Sequence, residues 1–89
     1  MNMKTEEIKK LKSRARLMEP IVRIGKNGLT DSAILQVKKM INKKKLVKVK
    51  FLRSFIESND RKAAAKQLAE ATNSELIDQV GFVAVLYKR

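Results

Sequence analysis

Ile8, Leu11, Ala15 and Met18 recur at three- and four-residue intervals, and Lys9, Lys10, Lys12, Arg14 and Arg16 fill positions between them. That spacing predicts a helix with a narrow apolar stripe and a basic remainder. Its expected N-cap is Thr5, Glu6 and Glu7 sit in the first turn where negative charge suits the dipole, and Pro20 closes it. The period then changes to two. Ile21-Val22-Arg23-Ile24 reads as a short strand and residues 46–52 as a second, with Val47, Val49 and Phe51 on one face and Lys48 and Lys50 on the other. Between them, residues 30–44 fit a helix whose Ala33, Ile34, Val37 and Ile41 face inward, while Lys38, Lys39, Asn42 and the following Lys45 turn outward. A strand–helix–strand unit predicts parallel strands with a right-handed crossover.

Residues 54–59 read as a loop, after which Asp60 caps an alanine-rich helix whose Ala64, Leu68 and Ala71 suit close packing on a sheet, with Asn73 ending it. Residues 75–80 and 82–87 are two apolar-rich runs parted by Gly81, the signature of a tight C-terminal hairpin. The order is α-β-α-β-α-β-β in one domain over residues 1–89. A chain of this length buries roughly 60–65% of its unfolded surface, which leaves no room for a second core. The longest unbroken apolar stretch, residues 82–87, falls far short of the ~18 residues of a spanning helix, so no membrane partner is expected. The start runs directly into charged residues without an apolar leader and the chain has no cysteine, from which a cytoplasmic protein is expected.

Charge changes the picture more than length does. Residues 1–53 hold 16 Lys and Arg against 4 Asp and Glu, whereas residues 54–89 hold 5 of each, so the whole net charge of +12 lies in the first part of the chain. A field concentrated in this way is the electrostatic footprint of a protein that meets a polyanion. Catalysis has little to work with. There is no histidine or cysteine, which removes the commonest general base, the thiol nucleophile and the usual zinc ligands. The nine carboxylates are scattered over helix starts and solvated positions. A non-enzyme without cofactor, metal or small-molecule substrate is expected.

The sharpest functional feature is Gly25-Lys26-Asn27-Gly28, which joins the first strand to the helix opened by Thr30. Glycine lets the backbone bend and approach a ligand closely, and N–H groups at a helix start attract anions. The spacing is not that of a P-loop. A phosphate fits: backbone N–H groups hold it, Lys26 supplies charge, Asn27 a neutral hydrogen bond, and Arg23 lies nearby in sequence. If Val22 and Ile24 share the helix-covered sheet face with Val47 and Val49, then Arg23, Lys48 and Lys50 emerge together on the opposite face as a second basic surface. Lys12 and Arg16 on the first helix and Arg53 after the second strand add to it. Lys43-Lys44-Lys45 reads equally as a dipole-complementing helix end. Phe51, Phe82 and Tyr87 read as core, leaving Phe55, in a polar loop beside Arg53, as the one base-stacking candidate.

Taken together, Leu11 with the basic helix before Pro20, the run Val22-Arg23-Ile24-Gly25-Lys26-Asn27-Gly28-Leu29-Thr30, the strand Leu46-Val47-Lys48-Val49-Lys50, and Gly81 followed by Val85-Leu86-Tyr87-Lys88-Arg89 resemble the CRM domain, named for chloroplast RNA splicing and ribosome maturation, in its stand-alone prokaryotic YhbY-like form. The resemblance covers nearly the whole chain. It implies an α/β fold similar to the C-terminal domain of translation initiation factor 3, a two-layer domain with a mixed four-stranded sheet. It also implies binding to structured RNA: single-domain members are associated with precursors of the large ribosomal subunit, and multi-domain plant relatives with group II intron splicing. By the same resemblance residues 25–28 match the family's RNA-contacting loop, and Arg23, Lys48 and Lys50 its basic surface. The loop is similar to the G-x-x-G of KH domains but joins a strand to a helix, so KH-style base readout is not implied. The expectation is a monomeric RNA-binding protein of large-subunit assembly, with ribosomal RNA or its precursor particles as partner. The alternatives are a duplex-DNA-coating chromatin protein of the Alba type and an adaptor whose basic face meets an acidic protein.

Overall fold

The computed structural model describes residues 4–89; Met1-Asn2-Met3, which open the segment in which no apolar leader is expected, lie outside them. The elements follow the order α1 (Thr5–Arg16), β1 (Val22–Ile24), α2 (Asp31–Lys44), β2 (Leu46–Phe51), α3 (Arg53–Ile56), α4 (Arg61–Ala71), β3 (Ser74–Val80) and β4 (Val83–Lys88). The sheet order is β1-β2-β4-β3, with β1 parallel to β2 and the other neighbours antiparallel. This is the mixed four-stranded α/β domain expected, with one added element. Residues 53–56 form the short helix α3 where a loop was predicted.

The predicted alternation places the main core. Val22 and Ile24 of β1, Val47, Val49 and Phe51 of β2, and Ala84 and Leu86 of β4 share one face and bury against Val37 and Ile41 of α2 and Ala64, Ala65, Leu68 and Ala69 of α4. Three buried alanines and one leucine let α4 lie close to the strands, although Ala71 is only half-buried and Ala65 and Ala69 take its place. Thr30 caps α2 by accepting a hydrogen bond from the Ala33 N–H, and Asp60 caps α4 by accepting one from Lys62. Asn73, at φ +52°, ends α4 in the left-handed conformation that asparagine tolerates. Gly81, at φ +56° and followed by Phe82 at negative φ, makes the two-residue hairpin turn between the paired Val80 and Val83.

The layering differs from expectation. Leu11 and Ala15 of α1 pack with Leu46, Ile77 and Val85 on the opposite face of the sheet, so α1 forms a partial third layer instead of joining α2 and α4 in a two-layer domain. The cause lies in the outward positions. Leu46 shares a face with Lys48 and Lys50, and a β-bulge between Leu76 and Asp78 brings Ile77 and Asp78 to that side together. Helix α1 also differs at both ends. Its N-cap is Lys4, without a side-chain bond, so Thr5 lies inside the helix; and it stops at Arg16, four residues before Pro20.

Candidate nucleic-acid interface

The lysine side chains of β2 meet different fates. Lys48 is half-buried beneath the end of α1, and its ammonium donates to the carbonyls of Ala15 at 3.0 Å and Met18 at 3.2 Å. It serves as a tertiary C-cap, supplying a cation to the negative end of the helix beside the Met18 N–H, which also donates to the Ala15 carbonyl at 3.1 Å. The expected trio of Arg23, Lys48 and Lys50 on an open sheet face is therefore reduced to two. Arg23 and Lys50 are paired in register across β1 and β2, and both are exposed.

Because β1 and β2 run parallel, the segments that follow them leave the sheet at the same end. The Gly28 N–H donates to the Gly25 carbonyl at 2.9 Å, closing a four-residue turn with Lys26 and Asn27 exposed at its tip. Among the described residues, the backbone N–H groups of Lys26 and Asn27 find no acceptor in the protein. The two glycines differ. Gly28, at φ +71°, needs its freedom, whereas Gly25 has ordinary φ and a Cβ there would meet Leu52 Cδ1 at 3.4 Å, an acceptable contact. The Leu52 N–H donates to the Ile24 carbonyl at 2.8 Å, and a Cβ on Gly28 would lie 3.6 Å from the Phe55 ring, so α3 buttresses the loop from beneath. Arg53, the first residue of α3, is exposed there. The start of α2 adds little attraction for an anion, since Asp31 occupies its first turn. Loop N–H groups and cations carry that task.

Lys12 and Arg16 stand apart from the loop. With Lys48 and Asp78 they line a groove of about 340 Å³ between α1 and the β3–β4 hairpin, floored by Val83 and Val85. Lys50, two residues beyond Lys48 on β2, continues from that groove toward β1 and Arg23, and Arg23 leads to the loop two residues further on. The predicted cations thus form a strip from α1 to the loop, with Lys48 diverted inward. Among the described residues the sole ion pair joins Arg89 to Glu75 at 3.6 Å. Among the described residues none of Lys12, Arg16, Arg23, Lys26, Lys50 and Arg53 forms an ion pair with a carboxylate, although Asp78 shares the groove with Lys12 and Arg16.

The aromatic assignments reverse. Phe55 is 4% exposed and stacks on Phe51 with ring centroids 5.3 Å apart, so it supports the loop from the core. Phe82 is 44% exposed at the hairpin turn, with the Arg61 guanidinium 5.3 Å from its ring centroid. Its place in a six-residue apolar run concealed this; the signal was its position directly after the turn glycine. At the far end of the sheet a smaller cleft of about 230 Å³ is lined by Lys38, Lys88 and Arg89. There the Lys45 side chain lowers the Lys88 pKa, by hydrogen bonding and then by charge repulsion. Lys45 itself donates to the Asn42 carbonyl at 3.3 Å, the helix-end role that its run allowed. No three of Asp, Glu, His or Cys come together among the described residues, and no described helix is long and apolar enough to cross a membrane.

Comparison with known proteins agrees with this architecture. A probable RNA-binding protein of Pseudomonas aeruginosa is 28% identical over 89 residues, which span all of this chain and 84% of that protein. A probable RNA-binding protein of Bacillus subtilis is 33% identical over 78 residues, covering 88% of this chain and 79% of the relative. The solution structure of a candidate RNA-binding protein from Staphylococcus aureus superimposes with a TM-score of 0.80 at 31% identity, over 99% of this chain and 90% of that one. The sequence profile of the CRS1 / YhbY (CRM) domain matches residues 3–88. With its strand–turn–helix loop, mixed sheet and matching extent, the chain belongs to the CRS1/YhbY (CRM) domain family.

Proposed function

We propose that this chain is a non-enzymatic RNA-binding protein that grips the backbone of structured RNA through residues 25–28 and the cationic strip running from Lys12 and Arg16 past Lys50 and Arg23 to Arg53. The observation that carries the reading is a set of unpaired cations leading to a turn whose tip N–H groups are unused. Phosphates need such donors: backbone amides give direction, and lysine and arginine give charge. Recognition by shape follows, because A-form RNA displays phosphates and 2′-hydroxyls while its major-groove edges are out of reach. The names of the bacterial relatives support RNA as the ligand class. Resemblance to single-domain CRM proteins supports the finer reading of large-subunit precursors as partner, and action as a monomer in the cytoplasm completes the proposal.

A filter-binding titration against salt tests this. If about six cations engage phosphates, log K against log salt has a slope of about −5, and Lys26→Ala with Asn27→Ala weakens binding across many RNAs and flattens the slope by about 1. Unchanged affinity and slope in that variant remove the loop from the interface. Preference for duplex DNA over ribosomal RNA at fixed salt points to chromatin coating instead, and co-sedimentation with ribosomal precursors that survives nuclease points to a protein partner.

A further inference from the structure

The turn of the β3–β4 hairpin stands at the same end of the sheet as residues 25–28. The Phe51 N–H donates to the Phe82 carbonyl at 2.7 Å, Lys50 pairs with Val83, and Ile24 pairs with Phe51, so the two turns flank the end of β2 on opposite sides. Two strand spacings separate them, about 10 Å, within reach of neighbouring nucleotides on one strand. The hairpin tip stands clear, for a Cβ built on Gly81 meets nothing within 4 Å. Its second turn residue cannot turn inward without breaking the Val80–Val83 pair, which leaves Phe82 44% exposed.

Arg61 opens α4 and lies over that ring at 5.3 Å. Asp60 beside it is engaged with the Lys62 N–H, and no described carboxylate pairs with the Arg61 guanidinium. The result is a planar cation over an aromatic face on the flank of the candidate phosphate loop. Aromatic rings and guanidinium planes are the surfaces on which unpaired bases stack, since every base has a π-face. A purely structural cation–π contact needs no such exposure and no such location. Building on the proposed RNA-binding function, we infer that Phe82 and Arg61 form a stacking platform for an unpaired nucleobase adjacent to the phosphate held by residues 25–28. Backbone contacts then bring the chain to structured RNA, and this platform favours places where a base is free, such as a bulge, loop or stem end.

Three RNAs of equal charge test the inference: a closed stem extended by paired nucleotides, the stem with a short single-stranded overhang, and the same overhang built from abasic nucleotides. The overhang RNA is expected to bind about five- to a hundredfold more tightly than its abasic counterpart. A 2-aminopurine in the overhang should be quenched on binding. Phe82→Leu is expected to abolish both effects while retaining the salt slope, Phe82→Tyr to restore them, and Arg61→Gln to reduce them. Circular dichroism melts of each variant monitor the loss of the Arg61–Phe82 contact itself. Equal binding of the overhang and abasic RNAs by the parent chain, or base preference that survives in Phe82→Leu, overturns the inference while salt-dependent binding sustains the broader function. Failure of the parent to bind any of the three RNAs overturns both.

Discussion

Lys48 and Lys50 are two residues apart on the same face of one strand, yet the structure gives them opposite tasks. Lys48→Met keeps the apolar stem of the side chain and removes the ammonium, leaving the Met18 carbonyl without its donor and the Ala15 carbonyl with the Met18 N–H alone. A hydrogen bond to a charged group contributes about 1.5–3 kcal/mol when buried; Lys48 is half-buried, so solvent recovers part of that, and the pair together with the α1 dipole comes to about 2 kcal/mol. Each kcal/mol moves the melting midpoint of a domain this small by about 4–8 °C, so the expected fall is about 8–16 °C. Lys50→Met removes an exposed cation, and its stability should stay within about 0.5 kcal/mol of the parent. In RNA titrations well below either melting point the order reverses. The salt slope of Lys50→Met falls by about 1, whereas that of Lys48→Met matches the parent. Thermal melts followed by circular dichroism, paired with salt titrations, measure both. A Lys48→Met protein melting within about 2 °C of the parent, or losing as much salt slope as Lys50→Met, refutes the division of roles.

Other substitutions probe the supports of the loop. Gly28→Ala forces a side chain into left-handed backbone at φ +71° and should cost about 1–2 kcal/mol in urea unfolding, whereas Gly25→Ala should be near neutral in stability, so any loss of RNA binding there reports close approach by ligand. Phe55→Ala empties a core position beneath the loop and is expected to destabilise by about 3–5 kcal/mol, a result a solvent-facing base platform would not give. Thr30→Ala, which removes the cap of α2, should lower stability by about 1 kcal/mol in the same assay.

The sequence by itself determined every element except α3, and their order, because local periodicity reports which residues share a face. The alternation in β2, the i, i+3, i+4 spacing in α1 and α2, the caps at Thr30 and Asp60 and the glycine of the hairpin all act within a few residues, and the structure preserves them. Residues 25–28 were equally legible, since a turn between a strand and a capped helix is a local event. Alternation also placed Lys48 and Lys50 on one face, but it could not say what lies over that face. That depended on Leu46, Ile77 and Val85 meeting on the outer side of the sheet through strand pairing and a bulge, which gave α1 an apolar surface and gave Lys48 a helix end to cap. The aromatics show the same division. Phe55 and Phe82 exchange their expected environments because α3 turns one under Gly28, while the β3–β4 pairing leaves the other at the turn before β4. Hydrophobicity states a preference for burial; only the long-range pairing of strands and helices decides which residue obtains it.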